Sequence, residues 1–195
     1  MPVRRVLFDV MGTLVYDPFR EVMPEFFGMT FDAMMDAKHP TAWLRFERGE
    51  IDGETFLDEF FADGRGFDHA AFLATVHAAY RWLDGMKPLL EALAADFPLG
   101  LVSNYPVWSE TVDAQLELSQ LAPWTFLSWK EGVRKPDDEV WHLLKDRSPE
   151  PANEILFVDD QVRNIRAAAQ SGFMTHQFTD ATELRRDLAG YGWHE

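Results

Sequence analysis

Val6-Leu7-Phe8-Asp9-Val10-Met11-Gly12-Thr13-Leu14 is the stretch from which the fold is read. Residues 3–10 form a short, β-branched apolar run with no helical period, which predicts a buried strand. A strand that ends in an aspartate and then breaks at Gly12-Thr13 delivers a carboxylate to the C-terminal edge of a sheet. In open α/β folds that edge is where ligands bind.

Working outward, the pattern between Asp17 and about Gly85 is helical. Helices are expected over 18–27, 31–38, 41–48 and 54–62, and a longer one after Asp68 with the stripe Phe72, Leu73, Val76, Tyr80 and Leu83. From Lys87 on the chain alternates. Helices are expected at 87–96, 107–118, 137–146, 161–171 and 182–189, and strands at 99–102, 126–129, 155–158 and 173–178. That alternation predicts an α/β class protein, a Rossmann-like parallel sheet with helices on both faces. The all-helical stretch reads as an inserted α-helical cap domain over 17–85, the α/β core domain being 1–16 and 86–195.

Composition narrows the function. The 195 residues carry a net charge of −15, which predicts no nucleic acid and no anionic membrane among the partners. There is no cysteine, so disulfides, thiolate metal sites and cysteine nucleophiles are excluded. The apolar run at the N-terminus stops at Asp9, too soon for a signal peptide. No apolar run approaches the roughly 20 residues of a membrane span. The expectation is a soluble, cytoplasmic protein, a monomer or a homodimer.

Four short segments fall at the ends of expected strands: Asp9, Ser103-Asn104, Lys135 in Gly132-Val133-Arg134-Lys135-Pro136, and Asp159-Asp160. Taken singly each has an ordinary structural role, as a turn, an N-cap or a solvated lysine. A parallel sheet gathers all four on one edge. Together they supply carboxylates, a hydroxyl and an ammonium, the set a metal-bound phosphate needs. Two adjacent aspartates after a buried strand are a costly like-charge pair unless a cation holds them.

With these four segments in order over nearly the whole length, the sequence resembles the haloacid dehalogenase-like (HAD) hydrolase superfamily, in its small helical cap subclass. Phe8 to Thr13 matches the nucleophile motif, Val102-Ser103-Asn104 the second, Lys135-Pro136 the third, and Phe157-Val158-Asp159-Asp160 with Asn164 the acidic fourth. Phe46-Glu47-Arg48-Gly49-Glu50-Ile51 followed by Phe56 is similar to runs met in such caps. The resemblance implies that Asp9 attacks phosphorus to form an aspartyl-phosphate. It implies a Mg²⁺ cofactor held by Asp9, Asp159, Asp160 and the backbone carbonyl of Met11. Thr13, Ser103 and Asn104 would bind the phosphate, Lys135 would offset charge in the transition state, and Asn164 would orient the fourth motif.

Position 11 departs from the pattern. The family's phosphatases carry a second aspartate there, which protonates the leaving group and then activates water; Met11 does neither. Such assistance is typically worth 10²–10⁴-fold. The sequence admits a Mg²⁺-dependent phosphohydrolase of a small phosphorylated molecule, with a leaving group that needs no acid or a proton carrier from elsewhere. Glu47, Glu50, His39 and His77 are the carriers the insertion offers. It also admits a 2-haloacid dehalogenase-type enzyme with Asp9 attacking carbon, against which the paired Asp159-Asp160 argues. A C–P-cleaving relative using Lys38 as a Schiff base is a third reading, and a non-catalytic phosphate-fold binding or regulatory protein a fourth.

Tyr16, Phe19, Tyr105 and Trp108 either line the pocket mouth, favouring a substrate with a planar or apolar body, or pack the junction between core and insertion. Trp43, Phe46, Phe56 and Phe60 stand at helical spacing and are expected to form the insertion's own core. Arg45, Arg48 and Arg134 are candidates to meet a second anionic group.

Overall fold

In a computed structural model that describes residues 3–193, β1 (Arg5–Phe8) is the middle strand of a five-stranded, wholly parallel sheet. The other strands are β2 (Leu99–Ser103), β3 (Trp124–Leu127), β4 (Ile155–Asp159) and β5 (Met174–Gln177), in the order β3-β2-β1-β4-β5. Alternation along a strand sends successive side chains to opposite faces, and two apolar clusters result. Val6, Phe8, Leu101, Leu156 and Val158 face one, Leu7, Val102, Ile155 and Phe157 the other. Helices α6 (Met86–Asp96), α7 (Ser109–Leu116), α8 (Leu118–Leu121) and α12 (Ala181–Leu188) cover the first face; α10 (Asp138–Arg147) and α11 (Val162–Gln170) cover the second. The stripe Met86, Leu89, Leu90, Leu93 shows why α6 docks: its buried residues recur at three and four. The α/β class follows directly from this architecture.

Between β1 and α6 lie five helices: α1 (Val22–Phe26), α2 (Phe31–Ala37), α3 (Ala42–Glu47), α4 (Gly53–Asp58) and α5 (His69–Ala78). Thr30, Asp52 and Asp68 cap α2, α4 and α5 by accepting hydrogen bonds from Ala33, Thr55 and Ala71 N–H groups. The apolar cluster on the first face runs without interruption from β1 to Phe72 in α5.

Several expected elements are corrected, and the helices expected over 18–27 and 54–62 shorten to α1 and α4. The longer helix stops at Ala78 instead of continuing to Leu83, because residues 80–83 pair with 14–16. Tyr16 N–H donates to Arg81 carbonyl at 2.9 Å and Leu83 N–H to Leu14 carbonyl at 2.8 Å. The expected helix over 107–118 breaks at Glu117, whose φ of 57° is left-handed. The strand expected at 126–129 lies two residues earlier, and Ser128 and Trp129 belong to α9 (Ser128–Glu131), closed by left-handed Gly132. No helix among the described residues is long and apolar enough to cross a membrane.

Candidate active site

At the end of β1 the backbone turns sharply: Val10 carbonyl accepts from the N–H groups of Leu14 and Val15, both at 2.9 Å. Gly12 takes φ 87°, and a Cβ there would stand 3.0 Å from an Asp160 carboxylate oxygen. Asp9 is left at the sheet edge, 6 % exposed. Lys135, in the loop between α9 and α10, reaches it from the far side of β2. Its Nζ donates to Asp9 Oδ1 and to Asp159 Oδ2, both at 2.7 Å, and to the Val102 carbonyl at 2.9 Å. The ammonium is thus fully enclosed, bonded to two carboxylates from two different strand ends.

The remaining motif residues hold this arrangement. Thr13 Oγ1 donates to Asp9 Oδ2 at 3.0 Å and accepts from the Asp160 N–H at 3.2 Å, which ties the first motif to the fourth. Asn104 spends both ends of its amide on the Lys135 backbone, donating to its carbonyl and accepting from its N–H, each at 2.8 Å. Its side chain therefore positions the lysine loop. Asn164 Nδ2 donates to both Asp159 oxygens, at 3.1 and 3.0 Å, and Gln161 N–H donates to Asp159 Oδ1. Ser103 Oγ is buried with no hydrogen-bond partner among the described residues, a state a buried hydroxyl rarely keeps without a ligand to receive.

Electrostatics follow from this enclosure. Burial pushes the Asp9 carboxyl up to about 7, against the pull of Lys135, and Asp159 and Asp160 push it the same way. Burial also raises Asp160, with Asp159 adding to it. Burial opposes the Lys135 charge, but Asp159 and Asp9 outweigh it and hold its pKa above the ordinary lysine value. Asp9, Asp159 and Asp160 offer ligand oxygens within 4.8 Å of one another. Three hard carboxylates crowded around a single ammonium suit a hard divalent cation such as Mg²⁺.

These residues open into a cavity of about 730 Å³ between the sheet edge and the helical insertion. Asp9, Met11, Asn104, Lys135, Asp160 and Asn164 line it from the sheet edge and the segments that follow the strands; Tyr16, Asp17, Phe19, Lys38, Trp43 and Glu47 line it from the stretch between β1 and α6. Phe19 and Trp43 lie nearly parallel, 25° apart with ring centres 6.2 Å from each other. Tyr16 and Phe19 face the cavity, while Trp108 packs at the junction against Phe46, Phe56 and Phe72. Tyr105 does both, buried beside Trp43 and touching the cavity.

Of the residues the insertion offered as proton carriers, Glu47 alone lines this cavity among the described residues, and its carboxylate is committed. Oε1 accepts from Trp43 Nε1 at 2.9 Å and Oε2 from Arg134 Nε at 2.7 Å. Glu50 is exposed, His39 Nδ1 accepts the Thr41 and Ala42 N–H groups, and His77 stacks on Tyr80. Arg45 pairs with Glu59 and Arg48 with Asp137, away from the cavity. Lys38 does reach it, and burial lowers its pKa. Trp43 and Asp17 are among the cavity residues the sequence does not single out. Trp43 shares the helical spacing of Phe46 and Phe56, and the sequence offers nothing to separate it from them. Asp17 reads as the start of a helical segment; a carboxylate six residues beyond Met11 was the available signal.

Comparison with known proteins agrees with this geometry. A family model described as haloacid dehalogenase-like hydrolase matches residues 3–172. Flavin mononucleotide hydrolase 1 of Arabidopsis thaliana, a chloroplastic protein, is 40 % identical over 189 residues, covering 96 % of this chain and 77 % of the relative. The crystal structure of a HAD family enzyme from Bacteroides thetaiotaomicron in complex with magnesium superposes with a TM-score of 0.81 at 21 % identity, covering 95 % of this chain and all of the other. L-2-haloacid dehalogenase from Xanthobacter autotrophicus shares the fold at a TM-score of 0.66 and 18 % identity, over 96 % of this chain and 82 % of that one. The chain belongs to the haloacid dehalogenase-like hydrolases.

Proposed function

We propose that this hydrolase is a Mg²⁺-dependent phosphohydrolase whose nucleophile is Asp9, acting on a small phosphorylated molecule with a planar head, with flavin mononucleotide as the first substrate to try. The observation that carries the reading is Lys135 bonded at 2.7 Å to both Asp9 and Asp159, with Asp160 beside them. That paired-acid centre suits a dianionic phosphoryl group and a divalent cation better than a halide leaving from a singly charged carboxylate. The Phe19–Trp43 wall and the name of the Arabidopsis relative support a planar head. In this reading 17–85 acts as the cap over a core of 1–16 and 86–195.

Asp9 attacks phosphorus to give an aspartyl-phosphate, which water then hydrolyses. Lys135 holds the Asp9 carboxylate in place and offsets negative charge as the new bond forms. Ser103 Oγ and the Met11 N–H, which stands outside the turn's own hydrogen bonds, receive phosphoryl oxygens. A cation held by Asp9, Asp159, Asp160 and the Met11 carbonyl would supply charge neutralisation for the phosphoryl group. A second reading, C–P cleavage through a Schiff base, has Lys38 in the cavity in its favour. Borohydride trapping of a carbonyl phosphonate on Lys38 would separate the two.

The test is phosphate release from flavin mononucleotide and from acetyl phosphate, with and without Mg²⁺, by the protein and by Asp9→Asn. Release that needs both the metal and Asp9 is expected. Release undiminished in Asp9→Asn refutes the reading.

A further inference from the structure

Met11 takes away the group that would move a proton at the scissile bond, so another must serve or the substrates must need none. We propose that Asp17 is the proton carrier: its carboxyl protonates the leaving oxygen as Asp9 attacks phosphorus, then takes a proton from the water that hydrolyses the aspartyl-phosphate. The proposal rests on the phosphohydrolase reading above and adds to it the residue that completes the reaction.

The chain path makes the placement. After Asp9 the backbone curls back on itself, with a bridge between Met11 and Val15, and Tyr16 N–H is then pinned to the Arg81 carbonyl. This returns Asp17 to the cavity that Asp9, Met11 and Asp160 line. Phe19 N–H donates to Asp17 Oδ1 at 3.0 Å, which fixes the carboxyl and leaves Oδ2 outside that bond. The other carboxylates of that wall are spoken for. Glu47 is bonded through both oxygens, and Glu21 accepts from the Tyr16 hydroxyl at 2.5 Å.

The surroundings suit a group that both gives and takes a proton. Burial pushes Asp17 up to about 6, the Phe19 N–H and Arg20 pull it down, and Asp160 and Glu47 push it up. The Tyr80 and Tyr105 hydroxyls, 2.9 Å apart, feel its charge as well. The proton count closes. In the first step the P–O bond to the alcohol breaks, the Asp9–phosphorus bond forms, and the alcohol leaves with the Asp17 proton. In the second, water oxygen attacks phosphorus, the bond to Asp9 breaks, and Asp17 regains a proton from that water as inorganic phosphate departs.

Asp17→Asn keeps shape and the acceptor for Phe19 N–H, and is compared with the unaltered protein on two substrates. With flavin mononucleotide, whose alcohol needs a proton, kcat is expected to fall by about 10²–10⁴-fold. With acetyl phosphate, whose acetate leaves unaided, a burst of about one acetate per enzyme is expected, followed by slow turnover as the aspartyl-phosphate accumulates. Adding Met11→Asp to Asp17→Asn is expected to restore flavin mononucleotide turnover at least tenfold. An unchanged kcat in Asp17→Asn, a lost burst, or a loss that Met11→Asp does not restore overturns the assignment. Failure of the phosphohydrolase reading looks different: the unaltered protein then releases no phosphate from either substrate, or Asp9→Asn retains full activity.

Discussion

Replacing Lys135 with methionine keeps most of the stem's volume and removes the buried ammonium, its charge together with its three donated hydrogen bonds. Its side chain is 1 % exposed, and the Asp9 and Asp159 side chains it bonds are 9 % and 0 % exposed. Removing one partner of such a buried group leaves charge uncompensated and costs about 3–5 kcal/mol. For a chain of this length about 1 kcal/mol moves Tm by roughly 2–4 °C, so a fall of roughly 6–20 °C is expected at pH 8. The pH dependence carries the reasoning. The folded-state pKa of Asp9, already near 7 with the lysine present, rises further without it. A carboxyl whose folded pKa is raised loses stability as pH climbs from its unfolded value of about 4 through the folded one. The deficit of Lys135→Met should therefore be largest above pH 7 and shrink by half or more at pH 5. Saturating Mg²⁺ should also shrink it at pH 8, by neutralising the same carboxylates. Thermal unfolding followed by circular dichroism at both pH values, with and without Mg²⁺, reads all three effects. A fall below about 3 °C at pH 8, or equal falls at pH 5 and pH 8, refutes the account of Lys135 as the counter-charge of this centre.

Three further outcomes follow from particular contacts. Gly49 has φ 69° and an added Cβ would stand 2.3 Å from the Trp129 carbonyl oxygen, whereas Gly64, with φ 71°, has nothing within 4 Å. Gly49→Ala should thus cost clearly more than the roughly 1 kcal/mol of left-handed strain that Gly64→Ala measures, as read from urea midpoints. Trp43→Leu should raise KM for flavin mononucleotide at least tenfold while leaving kcat for acetyl phosphate within threefold; a uniform loss on both would place Trp43 in the fold and not in substrate recognition. Asp17→Asn should stabilise the protein at pH 8 and not at pH 4. The raised folded pKa of Asp17 makes its charged form a liability above about pH 6, of the order of 2 kcal/mol after screening, and differential scanning calorimetry at the two pH values decides it.

The sheet edge was legible because burial there is nearly complete. β1, β2 and β4 have at most one residue outside the core, so their sequences are unbroken apolar runs that end abruptly in Asp9, Ser103 and Asp159. The chemistry begins where the apolar run ends, and a parallel arrangement is enough to collect it. What the alphabet cannot convey is which partner each side chain takes. Asn104 reads as a phosphate ligand by position, and its amide also donates to and accepts from the Lys135 backbone, a partner no local pattern names. Strand boundaries slipped for a related reason: Ser128, the first residue past β3, donates its hydroxyl to the Glu47 carbonyl, 81 residues away, at 2.6 Å.

The insertion was harder to read, and the reason bears on how the enzyme would select substrates. Helical spacing puts Trp43 on the same stripe as Phe46, but the stripe is wide, and its edge meets the cavity while its centre meets Trp108. The boundary between wall and core is therefore set by what docks from the sheet side, which no local pattern encodes. The docking is extensive. Trp108 enters among Phe46, Phe56 and Phe72, the Glu47–Arg134 pair is largely buried, and Glu47 in turn holds the Trp43 indole. Swinging the insertion away about the paired 14–16 and 80–83 segments would expose Trp108 and strip a partner from a buried charge, a cost of several kcal/mol. Along this edge the insertion and the sheet share a largely buried ion pair, and the Trp43 indole is held by the same carboxylate that makes it. A change at Glu47 should consequently alter substrate choice and the stability of the junction at once, whereas a change at Lys135 or Asp9 should act on the carboxylate centre without touching the wall.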